Sequence, residues 1–476
     1  MRVAVAGLGP MGRGIARVFA ETGATVTIVD ADPEATARGH AMMLADGPVE
    51  VTAAASVADA VRDADLFVEA IVERMDAKRS LLAEVRAAGN EKLVVASNTS
   101  SLSIGELGVA YGDPARVVGM HFFNPPTKMR LVEIVRGART DPEVVDRARE
   151  WVAALHKTAV LCADSPNFIV NRVCRPLYYE SQLLVTQGVA APVVDAAVRG
   201  ALGHRMGPLE LLDFTGLHTH LGSSETALRE FGDPRYRPIP RTRQLVRAGT
   251  TGRAAGRGYY DYAEGKPKAA QAAVTREPRP SSSRVRLTGP GAAQLPLPSD
   301  GDLAVYRTSS CTEADVTVVT SLARHGRVVV DSSHGGWVSA LPHGVGWVRL
   351  HRIEDEFFAE VVADDVARIA PAHDVADAVG AASVPVLALP GLVVDRLAHT
   401  MVNEALTLVE EGTATPDDVN LALRLGMNHP AGPLEYLAQA GPAEVLAGLR
   451  GLLDGFGDPR YRPAQLLVRQ AAGSRR

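Results

Sequence analysis

The sequence is poor in cysteine and has no long apolar segment. Its three cysteines, Cys162, Cys174 and Cys311, include no CxxC pair. This small number excludes a disulfide framework and argues against a structural zinc site, so we expect a reducing, cytoplasmic environment. No segment reaches the roughly 18 consecutive apolar residues of a membrane helix. The chain opens on the strand-like run Val3–Ala6 without a signal-peptide pattern, and we expect no contact with a membrane.

An excess of charge of one sign is also missing. The 50 basic residues are scattered along the chain and are nearly balanced by 55 acidic residues, for a formal net charge of -5. Because no basic stripe is present, we exclude nucleic acid as a partner. The composition, 46% hydrophobic and 22% charged, is typical of a folded α/β protein. At 476 residues the chain is long enough for about three domains of ~100–200 residues each.

Short β-branched runs alternate with helical patterns over the first third of the chain. The predicted strands are Val3–Ala6, Thr25–Val29, Leu66–Val68, Leu93–Ala96 and Val117–Met120. This alternation predicts βαβ units and a parallel sheet that is covered on both faces. From Ser165 the pattern changes and predicts an all-helical domain. Its expected helices are Phe168–Gln187, Val193–Leu202 and Leu209–Leu217.

The helical pattern occurs twice in the chain. Phe231–Pro238 recurs letter for letter at Phe456–Pro463, and Gly207–Glu210 recurs at Gly432–Glu435 with the same offset. Chance does not produce two identities in one register, so the helical domain is predicted to be duplicated. Between the two copies, strand-like runs continue without a GxGxxG motif, which predicts a degenerate sheet domain. These runs are Ala304–Tyr306, Val316–Val319 and Val328–Val330.

A glycine-rich loop follows the first predicted strand. Gly7, Gly9 and Gly12 form a GxGxxG motif that includes Met11 and opens a helix. Glycines at these positions let backbone N–H groups approach a pyrophosphate at the helix N-terminus. Asp30 ends the next strand about 20 residues further on, where a carboxylate binds an adenosine ribose. Together they predict a dinucleotide site, and the acidic side chain favours NAD over NADP.

Four further segments carry the polar side chains expected of an active site. They are Ser97–Leu102, Met120–Pro126, Leu131–Val135 and Asn167–Arg172. In motif and spacing the sequence resembles the L-3-hydroxyacyl-CoA dehydrogenase family over residues 1–263. Within that family it is similar to 3-hydroxybutyryl-CoA dehydrogenases, in a long form with a duplicated C-terminal helical domain. The residue types also suit the chemistry, because oxidising an alcohol needs a base for the hydroxyl proton while hydride leaves for a nicotinamide. His121, held by Glu133, is such a base near neutral pH.

The resemblance implies a role for each matching residue. His121 matches the family's general acid/base, and Glu133 matches its orienting carboxylate. The residues expected to contact the substrate oxygens are Ser100 and Asn171. Those expected to bind the cofactor are Gly7, Gly9, Met11, Gly12, Asp30, Glu73, Lys78 and Asn124, the last three by resemblance. No metal site is predicted.

Structural roles for the same residues remain open from the sequence alone. Ser100 can cap a helix and Asn171 can end a turn. His121 can be a core histidine beside two phenylalanines. Glu73 and Lys78 can form an exposed pair on a helix surface.

The expected architecture is an α/β Rossmann domain plus an all-α domain, followed by a degenerate Rossmann-like segment and a second copy of the all-α domain. The NAD-binding domain is expected at 1–164 and the helical substrate or dimerisation domain at 165–263. A linker poor in large apolar side chains follows at 264–285. The degenerate segment is expected at 286–384 and the second helical domain at 385–476.

The sequence departs from the family pattern after Asp30. Only one helix, Pro33 to about Ala45, fits before the next strand near Val49, where family members commonly place a helical hairpin that contacts the CoA nucleotide. The resemblance implies an NAD-dependent oxidoreductase of an L-3-hydroxyacyl-CoA in fatty acid metabolism. The short segment leaves open a carrier-protein thioester or a free hydroxy acid as substrate. A non-catalytic NAD-binding scaffold is the alternative outside enzymes.

The second half does not repeat the active-site residues. Aligning the two halves puts Val348 at the position of His121 and Asp395 at the position of Asn171, so no second active site is expected. Because family members often dimerise through their helical domains, the second copy is expected to occupy the partner's place within one chain. The predicted partners are therefore an acyl-CoA or acyl-carrier substrate and, for the helical domains, a homodimer or an intramolecular pseudo-dimer.

Overall fold

The computed structural model describes residues 1–262, 275–298 and 300–473. Within them the chain forms two compact units. The first contains residues 1–172 together with 411–427, and the second contains residues 173–410 and 428–476. Each unit is built on one β-sheet. A segment of the second helical region therefore belongs to the first unit.

The first unit is built on an eight-stranded, mostly parallel sheet. Its strands are β1 Arg2–Ala6, β2 Thr25–Val29, β3 Val51–Ala53, β4 Leu66–Glu69, β5 Val94–Ser97, β6 Val117–Phe122, β7 Leu131–Arg136 and β8 Thr158–Ala163. They lie in the order β3-β2-β1-β4-β5-β6-β7-β8, and only β6 and β7 are antiparallel neighbours. The order from β3 to β6 is that of nucleotide-binding α/β domains. The predicted Rossmann-like domain is confirmed.

Helices follow the apolar periodicity of this first part of the sequence. They are α1 Pro10–Glu21, α2 Pro33–Ala45, α3 Val57–Val61, α4 Met75–Ala87, α5 Ile104–Tyr111, α6 Pro142–Ala154 and α7 Val170–Val173. In α1, the buried side chains Ile15, Val18 and Phe19 join the core of the sheet. Asp32 caps α2, because its Oδ1 accepts the N–H of Ala35 at 2.6 Å. The single helix predicted in that segment is confirmed at the expected residues.

The second unit contains a six-stranded sheet. Its strands are β9 Val285–Thr288, β10 Leu303–Arg307, β11 Arg327–Asp331, β12 Gly346–Ile353, β13 Glu356–Val362 and β14 Ala382–Val386. They lie in sequential order, and only β12 and β13 are antiparallel. The predicted strand Val316–Val319 is wrong, because these residues lie in a helix, Glu313–His325. Thr312 and Asp315 form a capping box at its start, and this box favours the helix over the strand that the valines indicate.

Helices make up most of the remaining chain. They are α8 Arg175–Thr186, α9 Ala191–Leu202, α10 Pro208–Thr215, α11 Leu217–Phe231, α12 Pro240–Arg247, α13 Glu313–His325, α14 Trp337–Ala340, α15 Val366–Ala378, α16 Val394–Glu410, α17 Pro416–Gly426, α18 Pro433–Ala440, α19 Pro442–Phe456 and α20 Gln465–Gly473. Short 3-10 turns lie at Pro114–Arg116, Pro234–Tyr236, Arg253–Ala255, Ala292–Gln294 and Pro459–Tyr461. The helix predicted over Phe168–Gln187 is divided at Cys174 into α7 and α8, and Phe168 precedes both with φ 52°. The predicted helical region after the first sheet is confirmed.

The predicted linker falls partly outside the described residues, which omit 264–274. The part that follows is attached to the second sheet, because Arg276 bridges to the backbone of Ser383 and its guanidinium binds the Asp377 carboxylate at 2.7 Å. Within the described residues, the three cysteines form no disulfide bond. Among the helices that the structure describes, none is long and apolar enough to cross a membrane.

Candidate active site

The glycine-rich loop between β1 and α1 is tightly packed at one glycine and open at another. Gly7 has φ 90°, in the left-handed region that favours glycine. A Cβ on Gly12 would lie 1.7 Å from the Gly7 carbonyl oxygen, whereas a Cβ on Gly9 would meet no atom within 4 Å. The open space lies at the N-terminus of α1, where backbone N–H groups and the helix dipole attract a phosphate. The residues present therefore fit the pyrophosphate of NAD.

Asp30 ends β2 beside this loop. Its Oδ2 accepts the N–H of Leu8 at 2.5 Å, and its Oδ1 accepts the N–H of Ala31 at 2.7 Å. Arg13 donates to the Leu8 carbonyl at 2.7 Å, so this cation is held by the loop backbone. A carboxylate here binds the hydroxyls of an adenosine ribose and repels a 2′-phosphate. The arrangement suits NAD rather than NADP.

Ser100 lies in a loop after β5, and the Glu73 carboxylate accepts several hydrogen bonds from this loop. Glu73 Oε1 accepts the N–H groups of Ser100 at 2.9 Å and Ser101 at 3.2 Å, and the hydroxyl of Thr99 at 2.6 Å. The Ser100 hydroxyl lies 3.5 Å from the same oxygen. Burial opposes ionisation of Glu73, but the Lys78 ammonium and these hydrogen bonds together lower its pKa. Glu73 therefore carries the charge that fixes the backbone of Ser100.

Lys78 is buried, so the alternative of an exposed Glu73–Lys78 pair is wrong. Its side chain is 1% exposed, and Nζ lies 2.6 Å from Glu69 Oε2 and 3.4 Å from Glu73 Oε2. Burial raises the pKa of Glu69, and hydrogen bonds from Lys78 and Ser97 oppose this shift. The sequence analysis missed Glu69, although a carboxylate at the end of an apolar strand was the available signal. Contact of Glu73 and Lys78 with the nicotinamide ribose stays a prediction.

His121 and Glu133 face each other across the antiparallel strands β6 and β7. The distance from His121 Nδ1 to Glu133 Oε2 is 2.6 Å, and the two residues are 6% and 0% exposed. The other carboxylate oxygen, Oε1, accepts the N–H groups of Val170 at 2.8 Å and Ile169 at 3.2 Å. With Nδ1 directed at a carboxylate, the basic lone pair of the ring lies on Nε2. The arrangement can therefore accept and return a proton at one defined atom.

Each of the other two predicted polar site residues directly follows a residue that contacts this pair. Asn171 lies in α7 directly after Val170, so its backbone is tied to Glu133 through the preceding N–H. Asn124 is exposed and follows the end of β6. The Phe123 ring lies 4.6 Å from the His121 ring, centroid to centroid. Within the described residues, no group of three or more His, Cys, Asp or Glu side chains is arranged to hold a metal ion.

The second sheet contains the same antiparallel pairing with different side chains. Arg349 on β12 lies opposite Glu360 on β13, as His121 lies opposite Glu133. The prediction that Val348 stands at the position of His121 is therefore wrong by one residue, because the strand register places Arg349 there. Arginine stays protonated in proteins and cannot serve as a base.

The matching of Asp395 with Asn171 agrees with the same register. Glu360 Oε1 accepts the N–H groups of Val393 at 2.7 Å and Val394 at 3.2 Å, and Asp395 follows them. The Asp395 carboxylate lies 2.7 Å from Arg349 Nε. A buried ion pair thus stands where the first half has an imidazole and an amide.

A loop with two glycines at the spacing of Gly7 and Gly9 follows β9 and was not predicted from the sequence. Gly289 has φ 93°, close to that of Gly7, and Gly291 follows it. The third glycine position of the motif is occupied by Gln294, whose Oε1 accepts a hydrogen bond from Arg307 Nε at 3.1 Å. A Cβ on Gly291 would lie 2.9 Å from the Arg307 side chain, so side chains fill the space that is open at Gly9.

The chain is similar to known proteins over nearly its whole length. The NAD-binding-domain model of 3-hydroxyacyl-CoA dehydrogenases matches residues 2–165, and the C-terminal-domain model matches residues 168–262 and 391–475. A 3-hydroxyadipyl-CoA dehydrogenase of Escherichia coli K12 is 32% identical over 98% of this chain and 97% of its own length. A probable 3-hydroxybutyryl-CoA dehydrogenase of Deinococcus radiodurans is 38% identical over 55% of this chain and 100% of its own length. The crystal structure of a 3-hydroxybutyryl-CoA dehydrogenase from Escherichia coli K12 matches with a TM-score of 0.81 at 29% identity, covering 99% of this chain and 98% of that one.

Proposed function

Because the chain belongs to the 3-hydroxyacyl-CoA dehydrogenase family, we propose that it interconverts an L-3-hydroxyacyl-CoA and its 3-oxoacyl form with NAD as cofactor. The observation that carries this proposal is the buried His121–Glu133 pair, held at 2.6 Å across two antiparallel strands. An imidazole supported by a carboxylate is a general acid/base near neutral pH.

The proposed reaction moves one proton and one hydride. In the oxidative direction, His121 Nε2 accepts the proton of the substrate hydroxyl. The glycine-rich loop and Asp30 would hold NAD, which would supply the acceptor for the hydride that leaves C3 of the substrate. Glu133 stabilises the imidazolium that forms, because Nδ1–H donates to its buried carboxylate. In the reductive direction the imidazolium returns the proton to the carbonyl oxygen, and Glu133 keeps the ring in the same orientation.

Ser100 and Asn171 orient the substrate oxygens in this proposal. Both stand on backbone that a carboxylate fixes: Glu73 binds the N–H of Ser100, and Glu133 binds the N–H of Val170. Held in this way, two hydrogen-bonding side chains reduce the freedom of the reacting group before the transfer, which raises the rate.

For the substrate we propose a short acyl chain with CoA as its handle. The relative that spans nearly the whole chain is named for 3-hydroxyadipyl-CoA, and a relative that matches the first half is named for 3-hydroxybutyryl-CoA. The single helix α2 offers the CoA nucleotide less surface than a helical hairpin, and this observation favours a carrier-protein thioester as the second candidate.

Oxidation of NADH by the purified chain tests the proposal. We expect turnover with acetoacetyl-CoA and 3-oxoadipyl-CoA, and less with acetoacetyl-pantetheine, which has the same reacting end but no nucleotide. Equal turnover of acetoacetyl-CoA and acetoacetyl-pantetheine would favour the carrier-bound substrate. Binding of NADH without turnover of any thioester would leave a free hydroxy acid as substrate or a non-catalytic scaffold. NADPH serves as the control for cofactor choice.

Gly9→Ala is expected to weaken NADH binding by about tenfold or more, which corresponds to ~1.4 kcal/mol of lost contact. A Cβ at this position meets no protein atom within 4 Å, so the protein folds normally and the methyl group occupies only the space proposed for the pyrophosphate. Gly222→Ala in α11 is the matched control, because a Cβ there also meets no atom within 4 Å. Fluorescence titration with NADH compares the two, and equal affinities would contradict the proposed site.

We further propose that the two helical regions are copies of one domain and that the second copy takes the place of a partner subunit. Reciprocal contacts, in which each copy binds the other through the same positions, support this proposal and are expected of a two-fold interface. Tyr236 contacts Glu404, and its counterpart Tyr461 contacts Glu180. In the same way, Arg235 contacts Glu404 and Arg460 contacts Glu180. In the third pair, Arg172 contacts Glu411 and Arg396 contacts Gln187. His204 and His429, which share the offset of the sequence repeat, stack at a centroid distance of 3.7 Å.

A further inference from the structure

Residues 411–427 come from the second helical region but belong to the first compact unit. This segment, here named the α17 arm, contains helix α17, and three of its contacts with the unit carry the argument. At the first, the Thr413 carbonyl accepts the N–H of Ala163, the last residue of the edge strand β8, at 2.8 Å. The other two involve Glu411 and Gly426, and both lie beside residues of the proposed active site.

Glu411 binds the arginine that follows Asn171. Arg172 Nη1 lies 2.6 Å from Glu411 Oε2, and Nη2 lies 3.0 Å from Oε1. Arg172 is 1% exposed, and it also donates to Ser165 Oγ at 3.2 Å. A bidentate pair fixes both the position and the plane of a guanidinium. Because Arg172 and Asn171 are neighbours in the short helix α7, this pair holds the backbone of Asn171.

Gly426 ends α17 against three side chains of the first unit. A Cβ on Gly426 would lie 2.8 Å from Leu131 Cδ2, 3.1 Å from Val170 Cγ2 and 3.5 Å from Phe123 Cε1. Phe123 packs on the His121 ring, and Val170 donates its N–H to Glu133. A methyl group at position 426 must therefore displace the Leu131 δ-carbon and shift Val170, the residue whose N–H binds Glu133, and it comes into ordinary contact with Phe123.

We propose that the α17 arm is a positioning element of the first half's active site, which holds His121 through Phe123 and Val170, and Asn171 through Arg172. This inference rests on the proposed function and extends it. The second copy has Arg349 where the first half has a base. Through the α17 arm it would nevertheless take part in the chemistry of the first half. Glu411 and Gly426 act through their neighbours and are positioning residues.

Gly426→Ala is expected to lower kcat by about 10- to 100-fold, because displacing a reacting group by a fraction of an ångström to 1 Å has effects of this size. The Kd for NADH is expected to stay near the wild-type value, since the contacts of Gly426 do not include the glycine-rich loop. Gly222→Ala, the same change in a helix with no atom near the added methyl, is expected to keep the wild-type kcat. Adding Leu131→Val to Gly426→Ala removes the δ-carbon that the new methyl meets, and it is expected to restore most of kcat.

Glu411→Gln provides a second test that adds no bulk. The buried Arg172 loses its charge partner and one of its two acceptor oxygens, because the glutamine NH2 group cannot accept a hydrogen bond from the guanidinium. We expect a rise of about tenfold in KM for the thioester together with a lower kcat. Wild-type kcat and KM in both variants, whatever their thermal stability, would overturn the role of the α17 arm. If the wild-type chain itself turns over no thioester, the proposed function fails; if it is active and the variants match it, only this inference fails.

Discussion

Replacement of His121 with glutamine is expected to lower kcat by about 10²- to 10⁴-fold, the usual contribution of a general acid/base. The glutamine amide fills much of the imidazole volume and can donate to Glu133 from the same strand, so the fold is retained. It carries no proton that it can exchange at neutral pH. The Kd for NADH stays near the wild-type value, and measuring kcat and Kd separately distinguishes loss of chemistry from loss of the cofactor.

His351→Gln is the matched control for this experiment. His351 Nε2 lies 2.8 Å from Glu360 Oε2, and the residue is 8% exposed, so its burial and its partner resemble those of His121. It lies in the second sheet, where Arg349 stands opposite Glu360. We expect the control to keep the wild-type kcat. A loss as large as that of the His121 variant would contradict the assignment of a single active site to the first half.

Arg349→Met is expected to destabilise the second unit by about 3–5 kcal/mol, the cost of removing one partner from a buried ion pair. Arg349 is 4% exposed and binds Asp395 at 2.7 Å and Glu444 at 2.9 Å. Without the guanidinium, two buried carboxylates lose the cation that they share. Because an arginine at this position does no proton transfer, the folded fraction of the variant is expected to keep the wild-type kcat.

The loss of stability is expected to depend on pH. Burial opposes ionisation of Asp395 and Glu444, but Arg349 together with neighbouring groups such as His399 outweighs burial and lowers the pKa of both carboxyls. Groups with a lowered folded-state pKa stabilise the wild type above their unfolded values, near ~4, and this contribution is lost as pH falls. In the variant the unpaired carboxyls favour the protonated form. The difference in the free energy of unfolding is therefore largest near neutral pH and shrinks as the pH approaches 4.

Tryptophan fluorescence follows this unfolding, because two of the three tryptophans lie in the second unit. Trp337 and Trp347 are both 0% exposed. Arg352→Met on the same strand is the control: its side chain is 46% exposed and lies 3.6 Å from Asp355, so we expect a loss of about 0–1 kcal/mol. Equal denaturant midpoints for Arg349→Met and the wild type at neutral pH would contradict the expected cost.

The local elements of the fold were predictable where a short pattern decides them. Helix α2 begins at the predicted residue because Asp32 caps it and Pro33 suits its first turn, and it ends at Ala45 as predicted. The strand predicted at Val316–Val319 is wrong, because the capping box of Thr312 and Asp315 starts a helix in spite of the β-branched valines. Propensity is a weak signal that a cap or tertiary packing can override.

Some features of the candidate site depend on local sequence patterns, and others depend on contacts between distant residues. The glycine motif and the His121–Glu133 pair were predicted from residue types, spacing and family resemblance, and their roles stay predictions. Arg349 stands opposite Glu360 in place of the predicted Val348, because the segment between the paired residues is one residue shorter in the second sheet than in the first. Burial of Lys78 between two carboxylates was not visible either, since the surface pair and the buried pair have the same spacing.

The family, its NAD-binding domain and the repeated sequence segments could be predicted from the amino-acid sequence, because each is encoded in contiguous residues whose types and spacing are sufficient. Three features required the tertiary structure: the residue that faces Glu360, the burial of Lys78, and the inclusion of residues 411–427 in the first unit. These features depend on strand register and on contacts between residues hundreds of positions apart, as between Arg172 and Glu411. Such contacts are set by packing of the whole chain, which leaves no periodic signal in either segment.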